Sequence, residues 1–213
     1  MTKKILSSLS IIAAVASIAV GATIAYFSDT ETSTGNTFTS GTLDLQVDNQ
    51  NPWTSTVFSL SDVKPGDSGS VTIKLKNVGT LPKPGGPPWT SKVYITFENL
   101  QEDDVSCLDP EQEAGDSTCG SGQKGELAEN LKIRVRDYWD PNCSANLRFD
   151  EEYTLAEWVK TKGKTFLNDD MPAGDVNCIV IDWSIPTSTG NIIQSDKATF
   201  DIKFTLEQTE PWQ

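Results

Sequence analysis

The sequence predicts an all-β protein, a jelly roll or β-sandwich in a single domain with loop insertions and one short helix, preceded by a cleaved signal peptide. Three observations carry this prediction. Short segments of strict apolar/polar alternation recur along the chain, separated by turn residues. Only one stretch, Asp150 to Lys160, has helical spacing, so the helices that a parallel sheet requires between its strands are missing. The first 25 residues have a charge and hydropathy pattern unlike the rest.

That leader starts with Lys3 and Lys4 and continues as an apolar run from Ile5 to Ile24, broken by Ser7, Ser8, Ser10 and Ser17. Thr23-Ile24-Ala25 supplies small residues around a cut placed between Ala25 and Tyr26. An uncleaved anchor is the alternative, since ~20 apolar residues can span a bilayer. The interspersed serines and the Ala-rich end favour cleavage, so membrane contact is expected only transiently, through the leader. Cleavage leaves 188 residues: an extended segment, 26–42, and a β domain, 43–213. The formal charge of −13 becomes −15 once Lys3 and Lys4 are gone. Such an acidic surface excludes a nucleic-acid partner, suits a soluble extracellular protein and leaves room for loosely bound cations.

The strands follow in order. Leu43, Leu45 and Val47 alternate with Asp44, Gln46 and Asp48. Val57 to Leu60 reads as a short strand, Pro65-Gly66-Asp67 as a turn, and Val71, Ile73 and Leu75 as the next strand, paired with the previous one. Leu81 to Trp89 is rich in proline, which lacks the ladder's N–H donor, and reads as an exposed loop. Val93, Ile95 and Phe97 resume the alternation. From 102 to about 126 the chain becomes acidic, Gly-rich and almost free of apolar residues, the mark of an insertion. Strands then follow at Leu131–Val135 and Ile179–Ile185, with the helix Asp150–Lys160 between them. Its acids Asp150, Glu151 and Glu152 suit a helix N-terminus. Ala198, Phe200, Ile202, Phe204 and Leu206 form the clearest strand of all.

Residue types limit the chemistry. There is no histidine, which removes His-based triads and the HExxH zinc helix, and neither a GxSxG elbow nor a phosphate loop occurs. The carboxylate pairs Asp103/Asp104, Asp150/Glu151/Glu152 and Asp169/Asp170 sit in polar contexts and read as solvated surface charge. No catalytic residue, cofactor or enzymatic activity is expected. Calcium is the stronger alternative for the acids: Asp137, Asp140, Asn142, Asn146, Asp150 and Glu152 put oxygen ligands along one stretch, without the central glycine of an EF-hand. The four cysteines, all in the exported part, suggest two disulfides, with three pairings open. Spacing favours Cys107–Cys119 and Cys143–Cys178. A four-cysteine metal site would want a CxxC pair, and none exists.

Several stretches resemble a known family. Gly21-Ala22-Thr23-Ile24-Ala25-Tyr26-Phe27-Ser28-Asp29 and Asn36-Thr37-Phe38-Thr39-Ser40-Gly41-Thr42-Leu43-Asp44-Leu45 look like the start of the TasA/camelysin proteins. Leu60 to Asp67, Lys76 to Thr80 and Phe200 to Gln208 support the likeness less specifically. The resemblance implies export through a SipW-type signal peptidase, a jelly-roll fold and a homopolymer, a head-to-tail biofilm-matrix filament at the cell surface or in the extracellular matrix. It also implies donor-strand exchange, in which the freed N-terminus, here with Phe27, Thr37 and Phe38, completes a neighbour's sheet. The Thr-rich segment from Tyr26 suits that role, having too little apolar surface to fold alone. Camelysin-type members also carry a metallopeptidase label, for which this histidine-free chain offers no residue to match. A secreted peptidase remains an alternative. So does a monomeric cell-surface binding or adhesion module using the loop Pro82–Trp89 and the Cys107–Cys119 insertion.

Overall fold

Two antiparallel sheets face each other across one apolar core in a computed structural model that describes residues 41–54, 57–58, 63–81 and 91–208. The leader 1–25, the cleavage pair Ala25 and Tyr26, the donor residues Phe27, Thr37 and Phe38, and the Pro-rich loop 82–89 lie outside the described residues. Eight strands build the sheets: β1 (Leu45–Val47), β2 (Ser68–Asn77), β3 (Ser91–Asp104), β4 (Lys132–Tyr138), β5 (Leu147–Thr154), β6 (Thr165–Asn168), β7 (Val176–Ser184) and β8 (Asp196–Gln208). One sheet has the order β1-β2-β7-β4-β5 and the other β6-β3-β8. The all-β expectation holds.

The alternating residues named from sequence are the core. Ile73 and Leu75 of β2, Val93, Ile95 and Phe97 of β3, Ile133 and Val135 of β4, and Ile179 and Ile181 of β7 are all buried between the sheets. Trp158 sits at the centre, fully buried, its ring centroid 5.2 Å from that of Phe97 and 5.3 Å from that of Tyr153. Its indole N–H donates to the Ile133 carbonyl at 2.8 Å, so the largest core side chain leaves no polar atom unpaired.

The structure corrects several readings. Asp150, Glu151 and Glu152 do not start a helix; they lie in β5, paired with Arg136, Val135 and Arg134 of β4. The helix starts only at Leu155 because Thr154 and Glu157 form a capping box. The Glu157 amide donates to Thr154 Oγ1 at 3.2 Å, and the Thr154 amide donates to Glu157 Oε2 at 2.9 Å. The helical stretch is accordingly short, α3 (Leu155–Glu157), running into a wider turn at Trp158–Lys162. Two more short helices occur, α1 (Asp109–Glu113) within the insertion and α2 (Leu127–Asn130) directly after it. Val57 and Phe58 are not in a strand, and β2 pairs with β1 and β7, so the hairpin expected before it is absent among the described residues. β3 runs on to Asp104, three residues into the expected insertion, and β6 is an additional strand.

Both disulfides pair as the spacing favoured. Cys107–Cys119 closes the insertion with Cα atoms 4.8 Å apart, and Cys143–Cys178 ties the β4–β5 connection to β7 at 5.4 Å.

Candidate functional site

β8 is the site's main element. Thirteen residues of alternating character extend it to about 43 Å at the usual rise per residue. It pairs along its length with β3, from Ser91↔Gln208 to Asp104↔Asp196, with a bulge near Asn99. Among the described residues no strand pairs with its other side, so β8 is the long edge of a three-stranded sheet lying against a five-stranded one.

The inward row of β8 is therefore only partly covered. Val93, Ile95 and Phe97 of β3 are at most 1% exposed, whereas Ala198, Phe200, Ile202 and Phe204 remain half-buried. An irregular segment runs beside the row: Trp53 stacks on Phe204 at 5.7 Å and Phe58 on Phe200 at 6.3 Å. Among the described residues no backbone hydrogen bond joins that segment to β8. Between them lies a cleft of about 500 Å³, lined by Trp53, Val57, Phe58, Ala198, Phe200 and Ile202. A second cleft of about 290 Å³ continues it past Phe58 and Phe200 towards Leu131 and Trp183. Trp53 Nε1 is buried there and finds no acceptor among the described residues, although an indole N–H has no other way to be satisfied.

The described residues begin beside the five-stranded sheet. Thr42 accepts through its carbonyl from the Thr80 and Leu81 amides, at 2.8 and 3.0 Å. A Cβ on Gly79 would come within 2.3 Å of that carbonyl, which is why glycine stands there. The first described residues thus lead into β1 of the five-stranded sheet.

The residues read as calcium ligands are not brought together. Asp137 is fully buried, accepts from Asn168 Nδ2 at 2.7 Å and faces Arg148 at 3.4 Å. Burial pushes its carboxyl upward, against the pull of Arg148 and Asn168. Asp140 instead folds its own loop, accepting from the amides of Asn142, Ser144 and Ala145, the Ser144 bond being the largest of the effects that hold its carboxyl well below the usual range. Asp150 is clamped by both arms of Arg134 at 2.6 Å, which lowers it too. Glu152 pairs with Lys132, and Asn146 sits at the positive φ of a turn. A different set converges: carboxylate oxygens of Asp104, Glu111 and Asp196 lie within 4.8 Å of one another. Sequence reading took Asp104 for solvated charge, yet it is fully buried at the end of β3.

Residues 1–83 match the family model described as camelysin metallo-endopeptidase. Over this stretch the sequence is similar to that family, which supports the TasA/camelysin resemblance for the start of the chain. No curated protein matches the sequence. The family's printed name implies a metal, and the camelysin-type stretch can be tested for it. Residues 1–83 contain neither histidine nor cysteine; their acids are Asp29, Glu31, Asp44, Asp48, Asp62 and Asp67. Among the described ones, Asp44 is bonded to Asn51, Asp48 caps the Lys74 amide and Asp67 pairs with Lys64. This donor set does not fit the nitrogen and sulfur ligands of a zinc peptidase. The converging acids Asp104, Glu111 and Asp196 fall outside the camelysin match.

Proposed function

We propose that this chain is a secreted structural subunit that polymerises into extracellular filaments by donor-strand exchange. The segment 26–39 of one copy lies along the β8 edge of the next. The observation that carries this reading is the unpaired edge of β8, with its half-covered row Ala198, Phe200, Ile202 and Phe204 and the adjoining cleft. An added strand would supply backbone partners to that edge, and the side chains of one of its faces, the one carrying Phe27 or the one carrying Phe38, would enter the cleft. A carbonyl of the same strand would give Trp53 Nε1 the acceptor it lacks. Because donor and acceptor surfaces differ, the contact repeats without closing and gives a fibre.

Electron microscopy of the mature chain tests this directly, with fibres as the expected result. Deleting 26–38 should leave soluble monomers, and a synthetic peptide covering 26–42 should raise their melting temperature. Normal polymerisation of the deletion variant would show the mechanism to be wrong. The family model's printed name favours a second reading, a secreted metallo-endopeptidase. Casein hydrolysis that a chelator abolishes would support it, with the mature monomer as the active species.

A further inference from the structure

Where the acidic insertion closes back onto the sandwich, five carboxyl groups meet: Asp104, Glu111, Asp116, Glu126 and Asp196. Among the described residues no lysine or arginine forms an ion pair with any of them. Asp104 and Asp196 are direct partners across the β3–β8 ladder, an arrangement of like side chains that ordinarily weakens a sheet. Glu111 arrives from α1, and both it and Asp104 are fully buried.

The donors are distributed in a consistent way. One oxygen of each converging carboxylate is held by backbone amides: Asp104 Oδ2 by Gly120 at 2.6 Å, Glu111 Oε2 by Leu108 at 2.6 Å, and Asp196 Oδ2 by Glu126 and Leu127 at 2.6 and 2.8 Å. The second oxygens are nearly without donors. Ser195 Oγ lies 3.2 Å from Asp104 Oδ1, 3.1 Å from Glu111 Oε1 and 2.7 Å from the Ser106 carbonyl. A hydroxyl has one hydrogen, so it satisfies only one of these three acceptors. At least one oxygen of a fully buried carboxylate is therefore left without a donor. Asp196 Oδ1, itself buried, has none at all among the described residues. Unpaired carboxylate oxygens in such surroundings are costly unless something positive sits among them.

We infer that Asp104, Glu111 and Asp196, with Ser195 Oγ and the Ser106 carbonyl beside them, form a binding site for a divalent cation of the calcium class. The donors are all oxygens, the choice of a hard cation, and three carboxylates with flexible neutral oxygens suit calcium's irregular six- to eightfold shell better than magnesium's octahedron. The amides that grip one oxygen of each carboxylate hold the three groups in place, and the other oxygens of Asp104 and Glu111 both face Ser195 Oγ. The cation offsets the Asp104–Asp196 opposition and fastens the disulfide-closed insertion to the first residue of β8. Burial, the largest influence on Asp196, pushes its carboxyl up to about 7, with Glu126 and Asp104 adding to the rise. A proton is thus the cation's natural competitor.

The test uses the mature chain, stripped with a chelator and titrated with calcium chloride alone. Calorimetry should show one site with a dissociation constant on the order of 10⁻⁴–10⁻³ M, the range of extracellular modules. The melting temperature should rise with calcium and less with magnesium. Asp104→Asn should weaken calcium binding at least about tenfold while retaining the fold. Glu111→Gln, at a residue outside the ladder, provides the same reading should Asp104→Asn misfold. The proposal is overturned by a melting temperature that responds to pH but not to calcium, since a proton would then fill the site. An undiminished calcium response in both variants would overturn it equally.

Discussion

The two acid-rich regions of this chain differ in what answers their charge. Between Asp137 and Glu152 the acids are dense in sequence, and the structure gives each its own counterpart: Arg148 and Asn168 for Asp137, loop amides for Asp140, Arg134 for Asp150, Lys132 for Glu152. Around Asp104 the acids come from the end of β3, the nearby α1 and the distant start of β8, and converge with backbone amides and one hydroxyl as donors. Density along the chain did not indicate affinity for a cation. What matters is whether the fold has already paired the carboxylates.

The comparison is broken most severely at Asp137. Asp137→Leu should destabilise by about 3–5 kcal/mol in chemical denaturation, because it leaves the mostly buried Arg148 guanidinium without its carboxylate. The same kind of change at the other cluster should act in the opposite direction. In chelator, Asp196→Asn should stabilise by roughly 0.2–1 kcal/mol by removing the opposition to Asp104, while abolishing the gain from calcium.

The pH dependence separates the regions next. Asp196 is raised in the folded protein, so its folded form holds a proton that the unfolded chain has released. In chelator that makes stability fall as pH rises from about 4 to about 7. Asp196→Asn should flatten this slope, and calcium should restore stability above it. Asp140, lowered in the folded state, acts the other way: its contribution is present above the ordinary aspartate value and lost as pH falls below it. Melting curves from pH 3 to 8 in chelator, with and without each substitution, check both signs. The smallest effect is expected at Arg134→Ala. Its pair with Asp150 is solvent-exposed, and its loss should leave the melting temperature almost unchanged.

Much of the fold was legible because burial imposes a period of two. Ile73, Leu75, Val93, Ile95, Phe97, Ile179 and Ile181 lie inward as their alternation required. Asp150–Glu152 misled because acids that suit a helix start also suit the exposed face of β5, where β4 supplies Lys132, Arg134 and Arg136 opposite. The Thr154–Glu157 capping box was the signal that could have moved the helix. Asp103-Asp104 looked like loop charge because the β3 alternation fades after Phe97, and only pairing with β8 extends the strand that far.

By itself the sequence determined which residues alternate and hence which face inward, that nitrogen ligands from histidine are unavailable, and that four cysteines are there to form two disulfides. It also carried the camelysin-like start. These are local matters of composition, period and spacing. The tertiary structure alone decided that, among the described residues, the clearest strand, Ala198 to Leu206, would be an edge and not a centre, because edge or centre depends on which partners a strand has, not on its own residues. It alone brought Asp104, Glu111 and Asp196 together across 92 residues of chain, since only the β3–β8 register and the folded insertion bring the three within reach.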